Sequence, residues 1–378
     1  ADFVICSYEY VTSTEGKSRN PARWKELRRH KWASMAWDEA HALMYSEAAR
    51  TRALLGATPE SKSGLCFAAE RVWPLTGTPF TFPHQIFPIV SRLFPRATLR
   101  QDRQGGYMTE REWGNRFCAW APVEDPRTGR SFGEKVVGAR NVPELRRRLA
   151  PYLSKVKLTD IHDRGEIIDT ITVRGDLRKL LTGLEPEVLA QYEALSRVLD
   201  DEEIPDEEKL SALEENGLVM AQLRHHIAVA KIQATTDILA LERAKGVDKI
   251  LVFGWHKAPL KALADKHKAP LIYGSPMTRK AKREAVGRFL HDPDCHFLFG
   301  QIGAIGTGTD GLQDVCSRSF FHEASWTYRD NKQARHRTFR KGQRHDVRTS
   351  FIVLKGSVDE HVARVLARNA ETVARALD

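Results

Sequence analysis

"WASMAWDEAH", residues 32–41, is an apolar run that ends in two adjacent carboxylates, Asp38 and Glu39, with His41 two positions further on. The run has the length and composition of a strand, and "ALMYSEAARTRALL" after it carries a helical pattern. An acid pair at a strand's carboxyl end suits magnesium-nucleotide chemistry. One carboxylate can hold Mg²⁺ through water while its neighbour polarises an attacking water. Asp38 is the candidate for the first role and Glu39 for the second. Taken alone, the same residues also suit a helix N-terminus, where Asp caps and Glu complements the dipole.

Outward from this stretch, short apolar or β-branched runs recur with helical patterns between them. "FVICSYEYV", "WASMAW" and "VWPLTG" stand in the first part; "KILVFGW", "PLIYG", "HFLFG", "RSFFHEA" and "RTSFIVL" stand in the last third. Strands alternating with helices predict an α/β chain with two parallel sheets. Residues 185–245 read as helix nearly throughout, with acidic "DDEEIPDEEK" as an exposed turn and Gly246 as a terminator. The Gly- and charge-rich residues 100–150 read as an insertion. The expected organisation is a first lobe over 1–183, a helical protrusion over 184–245 and a second lobe over 246–378.

The chain has 378 residues, enough for two cored domains, and its 42% hydrophobic and 29% charged content is that of a globular protein. Lys and Arg number 59 against 49 for Asp and Glu, a balance that favours a polyanionic partner, nucleic acid foremost. Excess solvating charge on a basic enzyme gives the same count. The five cysteines form no CxxC pair, so neither a disulfide framework nor a zinc site is indicated. No apolar run reaches spanning length and "ADFVICSYEY" has no signal-peptide pattern, so a soluble intracellular protein is expected, with no membrane partner.

Three further motifs carry chemistry. "LTGTP", Leu75 to Pro79, follows an apolar run and sets two hydroxyls, Thr76 and Thr78, in a turn able to sense a nucleotide; any strand exit with Gly and Pro looks alike. "GAIGTGTDGLQ", Gly303 to Gln313, has closely spaced glycines that let backbone approach phosphate, with Thr307, Thr309 and Asp310 as polar candidates. "QARHRTFRKGQ", Gln333 to Gln343, places Arg337 and Arg340 three apart, so on a helix they would share a face and converge on one phosphate. A basic surface helix has the same spelling.

The order of the four motifs is that of motifs II, III, V and VI of superfamily-two helicases, and the chain resembles the Swi/Snf-type branch of that superfamily. "VICSYE" is similar to its motif Ib strand, "KILVFGWHKAPLKALA" to its motif IV, and "YGSPMTRKAKREAVGRF" to the segment after it. "VVGARNVPELRRRLAPYLSKVKL" looks like the link between lobes in annealing-helicase-like members, and "GSVDEHVARVL" like the terminal brace helix.

The resemblance implies two RecA-like lobes with a helical protrusion and an ATPase stimulated by double-stranded DNA, acting as a monomer with ATP and Mg²⁺ as cofactors; Ala- and Arg-rich usage points to a bacterial or phage source. Glu39, Arg337 and Arg340 would be catalytic. Asp38, His41, Thr76, Gly308, Asp310 and Gln333 would bind nucleotide or couple it to motion, with Asp38 holding the metal. Ser275, Arg279, Thr307 and Thr309 would contact DNA. Where the family has an acidic pair in motif VI, this chain has Arg335 and His336.

A phosphate loop, GxxxxGK[ST], should accompany such a site. The one GK followed by Ser or Thr is "VTSTEGKS", but its first position is Val11 and Pro21 interrupts the helix that should follow. It is set aside as a decoy, since the tight first turn needs glycine. Against the family's pattern the chain starts at motif Ib, so motifs I and Ia are expected upstream of Ala1, and the chain alone is expected to be inactive. Two alternatives remain from the residues: a non-hydrolysing DNA-binding scaffold on a decayed translocase fold, and a DEAH-type RNA helicase.

Overall fold

The computed structural model describes residues 3–12, 23–77, 79–100, 105–124, 131–155, 164–175, 184–201, 217–305, 309–364 and 366–367. Two compact units divide after Ser154.

In the first unit, the helices α1 (Tyr8–Thr12) and α2 (Arg23–Leu27) precede β1 (Trp32–Trp37), α3 (Ala49–Leu55) and β2 (Ala69–Pro74). Strands β1 and β2 pair in parallel from Trp32↔Ala69 to Trp37↔Pro74. Then come α4 (Phe87–Leu93), α5 (Glu110–Phe117), an antiparallel hairpin of β3 (Cys118–Glu124) and β4 (Ser131–Ala139), and α6 (Val142–Leu149).

Helix α5 starts at a reciprocal cap: the Thr109 hydroxyl accepts from the Glu112 amide while the Glu112 carboxylate accepts from the Thr109 amide. Its buried face carries Trp113 and Phe117, which pack with Phe87, Val90, Leu145 and Leu149 from α4 and α6. The sequence pattern in "FVICSYEYV" predicts a strand, whereas residues 3–7 form no regular element and Tyr8–Thr12 is helical. β-Branched content without a pairing partner does not make a strand.

The second unit contains β5 (Glu166–Val173), α7 (Pro186–Asp200), α8 (Gly217–Ala244), β6 (Ile250–Gly254), α9 (Lys257–Lys266), β7 (Leu271–Ile272) and α10 (Arg279–His291). It continues through β8 (Phe297–Gln301), α11 (Ile302–Ile305), α12 (Leu312–Val315), β9 (Arg318–Phe321), α13 (Tyr328–Arg335) and β10 (Val347–Leu354). Its six strands lie in the order β5-β10-β9-β6-β8-β7 with parallel pairings throughout. Central β6 is buried at every residue, as a parallel strand covered on both faces should be.

Two features differ from the organisation read in the sequence. Residues 166–173, assigned there to the first lobe, belong to the second sheet: β5 runs in register with β10 from Glu166↔Val347 to Val173↔Leu354. The helical segment is anchored to this unit as well. Leu195, Leu199, Leu223 and Ile227 of α7 and α8 pack with Val358 and Val362 of the C-terminal helical residues. The buried Lys231 ammonium on α8 donates to the carbonyls of His322 (2.6 Å) and Ile352 (2.8 Å) and to Asp359 Oδ2 (2.5 Å). All three ammonium protons are thereby used, and α8 is pinned to the ends of β9 and β10.

Helix α8 ends where Gly246 takes a left-handed conformation (φ +89°), with the amides of Gly246 and Val247 donating to the carbonyls of Arg243 and Glu242. Among the described residues no helix is long and apolar enough to cross a membrane.

Candidate functional site

The acid pair sits where β1 ends. The Leu75 amide donates to the Trp37 carbonyl (2.8 Å) and the Ala40 amide to the Leu75 carbonyl (2.9 Å), so the register of two parallel strands fixes where "WDEAH" meets "LTGTP". Glu39 takes a left-handed backbone conformation (φ 51°, ψ 47°), uncommon for a residue with a long side chain. Asp38 Oδ1 accepts from the Glu39 amide (2.9 Å), which fixes the carboxylate at the turn.

Side chains then link the two motifs. His41 Nδ1 lies 3.1 Å from Glu39 Oε2 and 3.1 Å from Thr76 Oγ1. One ring nitrogen therefore faces the candidate base and the neighbouring strand exit together. Thr78 lies outside the described residues.

Tyr8 is a member of this site that the sequence reading did not single out. Its hydroxyl donates to the Asp38 carbonyl at 2.8 Å, and burial, followed by the charges of Asp38 and Glu39, pushes its pKa up to about 12. No periodicity reveals it, because the contact joins residues thirty positions apart.

Asp38 commits one carboxylate oxygen to the Glu39 amide and leaves the other for a metal-bound water, a donor set that suits Mg²⁺ held by one carboxylate together with phosphate oxygens. Among the described residues there is no cluster of three or more His, Cys, Asp or Glu side chains that could hold a metal ion.

In the second unit, α13 is capped by Thr327, whose hydroxyl accepts from the Asp330 amide, and it carries Gln333 half-buried. The helix stops at Arg335, so the expectation that Arg337 and Arg340 share a helical face is corrected. They lie in successive turns, with the Arg337 amide donating to the Ala334 carbonyl and the Gln343 amide to the Arg340 carbonyl. Buried Gln343 holds these turns together: Nε2 donates to the carbonyls of Cys316 and Thr338, and Oε1 accepts from the amides of Arg344 and His345. Arg340 Nη1 donates to Asp310 Oδ1 at 2.5 Å, joining the candidate finger to the glycine–threonine segment.

The departure from the acidic pair has a structural counterpart. Arg335, 8% exposed, lies 3.2 Å from Glu166 at the start of β5. The acidic partner is thus supplied from a neighbouring strand while the motif position is cationic. Burial raises the Glu166 pKa, with Arg335 and then Lys332 opposing it. Burial, then the charges of Arg335, Lys332 and Arg337, pushes His336 down to about 3, so it is neutral at physiological pH.

Of the nucleic-acid candidates, Ser275 and Arg279 are exposed, Arg279 at the first position of α10 behind the Thr278 cap. Thr309 is interior instead, 2% exposed, with its hydroxyl donating to the Ile305 carbonyl at 2.7 Å. A hydroxyl held there braces the segment and cannot meet a phosphate on the surface. Thr307 and Gly308 lie outside the described residues.

A second dyad went unnoticed in the sequence. Glu323, 3% exposed after β9, accepts from His256 Nδ1 (2.6 Å) and from the amides of His256 (3.0 Å) and Trp255 (3.3 Å) after β6. The available signal was two titratable residues at the carboxyl ends of adjacent strands, where open α/β sheets place their ligand sites.

No protein-family profile matches the chain. It is 24% identical to the human DNA annealing helicase and endonuclease ZRANB3 over 361 residues, which is 90% of this chain and 29% of that protein. The mouse protein of the same name is 24% identical over 354 residues, covering 30% of its length. The chain therefore spans about three-tenths of the curated relatives it matches.

Among solved structures, the Sulfolobus solfataricus SWI2/SNF2 ATPase core in complex with dsDNA aligns with 94% of this chain and 76% of its own, at TM-score 0.41 and 15% identity. The C-terminal part of the Fun30 ATPase domain aligns with 36% of this chain and 45% of its own, at TM-score 0.33 and 19% identity. The order of motifs and the similarity over nine-tenths of the sequence point the same way: the chain is similar to Swi/Snf-type, superfamily-two translocase-like proteins.

Proposed function

We propose that the full-length protein is a double-stranded-DNA-stimulated ATPase that moves along or remodels DNA. The observation that carries this reading is the position of His41 Nδ1, 3.1 Å from both Glu39 Oε2 and Thr76 Oγ1, which sets a candidate base beside the exit of the adjacent strand. In this reading Glu39 orients and polarises the attacking water and accepts its proton at Oε1 or Oε2. Asp38 holds Mg²⁺ through water, and the metal, when bound, neutralises charge on the phosphates. Arg337 and Arg340 stabilise the charge that spreads over the transferring phosphoryl group.

His41 is held at Nδ1 by Glu39 and Thr76, so a change in the Glu39 environment is felt at the "LTGTP" turn. Ser275 and Arg279 are the DNA-backbone candidates that remain on the surface. Phosphate contacts of that kind are independent of sequence and weaken steeply with salt. This chemistry also needs a loop that cradles the β- and γ-phosphates, so reading the coding sequence around this stretch is the first check.

The decisive experiment is Glu39→Gln in the full-length protein. Duplex-stimulated ATP turnover should fall by at least about 10²-fold while nucleotide affinity is retained. Normal turnover by the variant would remove Glu39 from its role. Stimulation by RNA in preference to duplex DNA would replace the DNA-translocase reading with the RNA-helicase one.

A further inference from the structure

A cavity of about 250 Å³ lies within the second unit, between the sheet, α13, α8 and the C-terminal helical residues. Its walls are apolar, with Phe321, Phe351 and Val362 among them, yet Arg224, Lys231, Lys332 and Arg335 also line it, against a single lining carboxylate, Asp359. Nothing in the ATPase reading uses this space.

Arg224 is the unusual member. It is 3% exposed, and among the described residues its guanidinium donates to one acceptor, the Ala324 carbonyl, while its flat face lies 4.7 Å from the Trp326 ring centroid. A guanidinium carries five N–H donors, and the one acceptor at Ala324 leaves it capacity for a further one.

Two carboxylates are near enough to favour its charge, Glu323 and then Asp359, against the burial that lowers its pKa. Neither makes a hydrogen bond to Arg224, and Glu323 commits both its oxygens elsewhere. Glu323 accepts from His256 and two amides, and Asp359 Oδ2 accepts from Lys231 and the Leu354 amide. Arg335 faces Glu166 at 3.2 Å, but its buried Nε makes no hydrogen bond. The cavity thus offers a planar, under-satisfied cation at its wall and an apolar body of space beside it.

We propose that this cavity is a binding site for a small amphipathic anion, a carboxylate or phosphate head on an apolar body, with Arg224 as the anchor for the head. A planar fork of N–H donors suits a two-oxygen acceptor, and the aliphatic and aromatic walls suit the rest of the ligand. Lys231 is not the anchor, since its three protons are already committed to protein oxygens.

The test uses the full chain and calorimetric titration with octanoate, octyl phosphate and, as the uncharged control, octan-1-ol. Saturable binding of at least one anion is expected, and whichever of the two binds tighter identifies the head group. Binding should weaken at least about tenfold in Arg224→Met, which keeps the apolar stem and deletes the donors, and for the alcohol against wild type. Ala363→Leu narrows the cavity without touching Arg224 and should also abolish binding, which keeps the test decisive if the methionine variant fails to fold. Equal affinity for octanoate and octan-1-ol, an unaffected Arg224→Met, or no binding of either anion overturns the proposal.

Discussion

The two parallel sheets treat similar apolar runs in opposite ways. In the second unit "ILVFG" forms β6, buried at all five positions between five other strands. In the first unit "WASMAW" and "AERVWP" form a pair in which one residue of twelve is buried, and Trp73 is 55% exposed. Cohesion in the first unit comes from the helices around Trp113 and Phe117 and from a second cluster where Trp37 packs with Leu43, Leu54 and Leu65; in the second it comes from the sheet and the helices pinned to it. Positioning Asp38, Glu39, His41 and Thr76 needs the register of β1 and β2 at their ends and does not need deep burial of the strands.

The sharpest way to break this contrast is Trp113→Ala. Trp113 is fully buried among Phe87, Phe117 and Leu145 and donates Nε1–H to the Pro83 carbonyl at 2.9 Å. Its loss should destabilise the first unit by about 4 kcal/mol, read by urea unfolding. A loss under about 1 kcal/mol would mean that the helical cluster is not what holds that unit together.

Lys231→Met probes the other unit. It leaves the Asp359 carboxylate and two carbonyls without their partner in the interior, a cost of about 3 kcal/mol. Hydrogen exchange should accelerate in β9 and β10 and leave α5 unchanged. Acceleration spread evenly over both units would contradict their independence.

Acid should also separate the two. His322 is fully buried, with Nδ1 2.8 Å from the Thr235 hydroxyl and Nε2 2.9 Å from the Ala228 carbonyl, a neutral tautomer donating from Nε2. Burial and then the Lys231 charge push its pKa down to about 4. Because the folded pKa lies below the ordinary value near 6.5, the unfolded chain binds the extra proton between them. The contribution is fully present above pH 6.5 and is lost as pH falls towards 4. His336, at about 3, acts with the same sign. From pH 7 to 4.5 His322 alone should cost the second unit roughly 2 kcal/mol, and His322→Gln should remove that part of the profile. An unchanged profile in that variant would assign the acid sensitivity to other groups.

What was legible in the sequence follows from the same contrast. β6, β8, β9 and β10 are visible because strands covered on both faces read as apolar runs. β5 was missed because "EIIDTITV" lies at the sheet edge and shows a half-exposed pattern. Arg337 and Arg340 were placed on a helix by spacing alone, whereas Gly342 (φ +99°) and the Gln343 side chain organise turns there instead. Thr309 was read as a surface hydroxyl because a polar residue between glycines gives no sign that its carbonyl partner lies four residues back. Tyr8 and the Glu323–His256 dyad depend on contacts between distant segments, which no local pattern encodes.

The smallest expected effect bears most directly on the comparison. Trp73 on β2 is 55% exposed, and Trp73→Thr keeps a β-favouring residue while removing the indole. If the face of β1 and β2 is as open in solution as it is here, little packing is lost, and this chain should change in stability by no more than about 0.5 kcal/mol. The same substitution in the full-length protein asks a different question, because any further segment laid across that face would bury the ring there. A loss of about 3 kcal/mol in the full-length protein beside a negligible one in this chain would show that the acid-pair sheet is completed from outside these residues. Equal, negligible losses in both would mean that two strands in register suffice to hold Asp38, Glu39, His41 and Thr76 where the chemistry proposed for them requires.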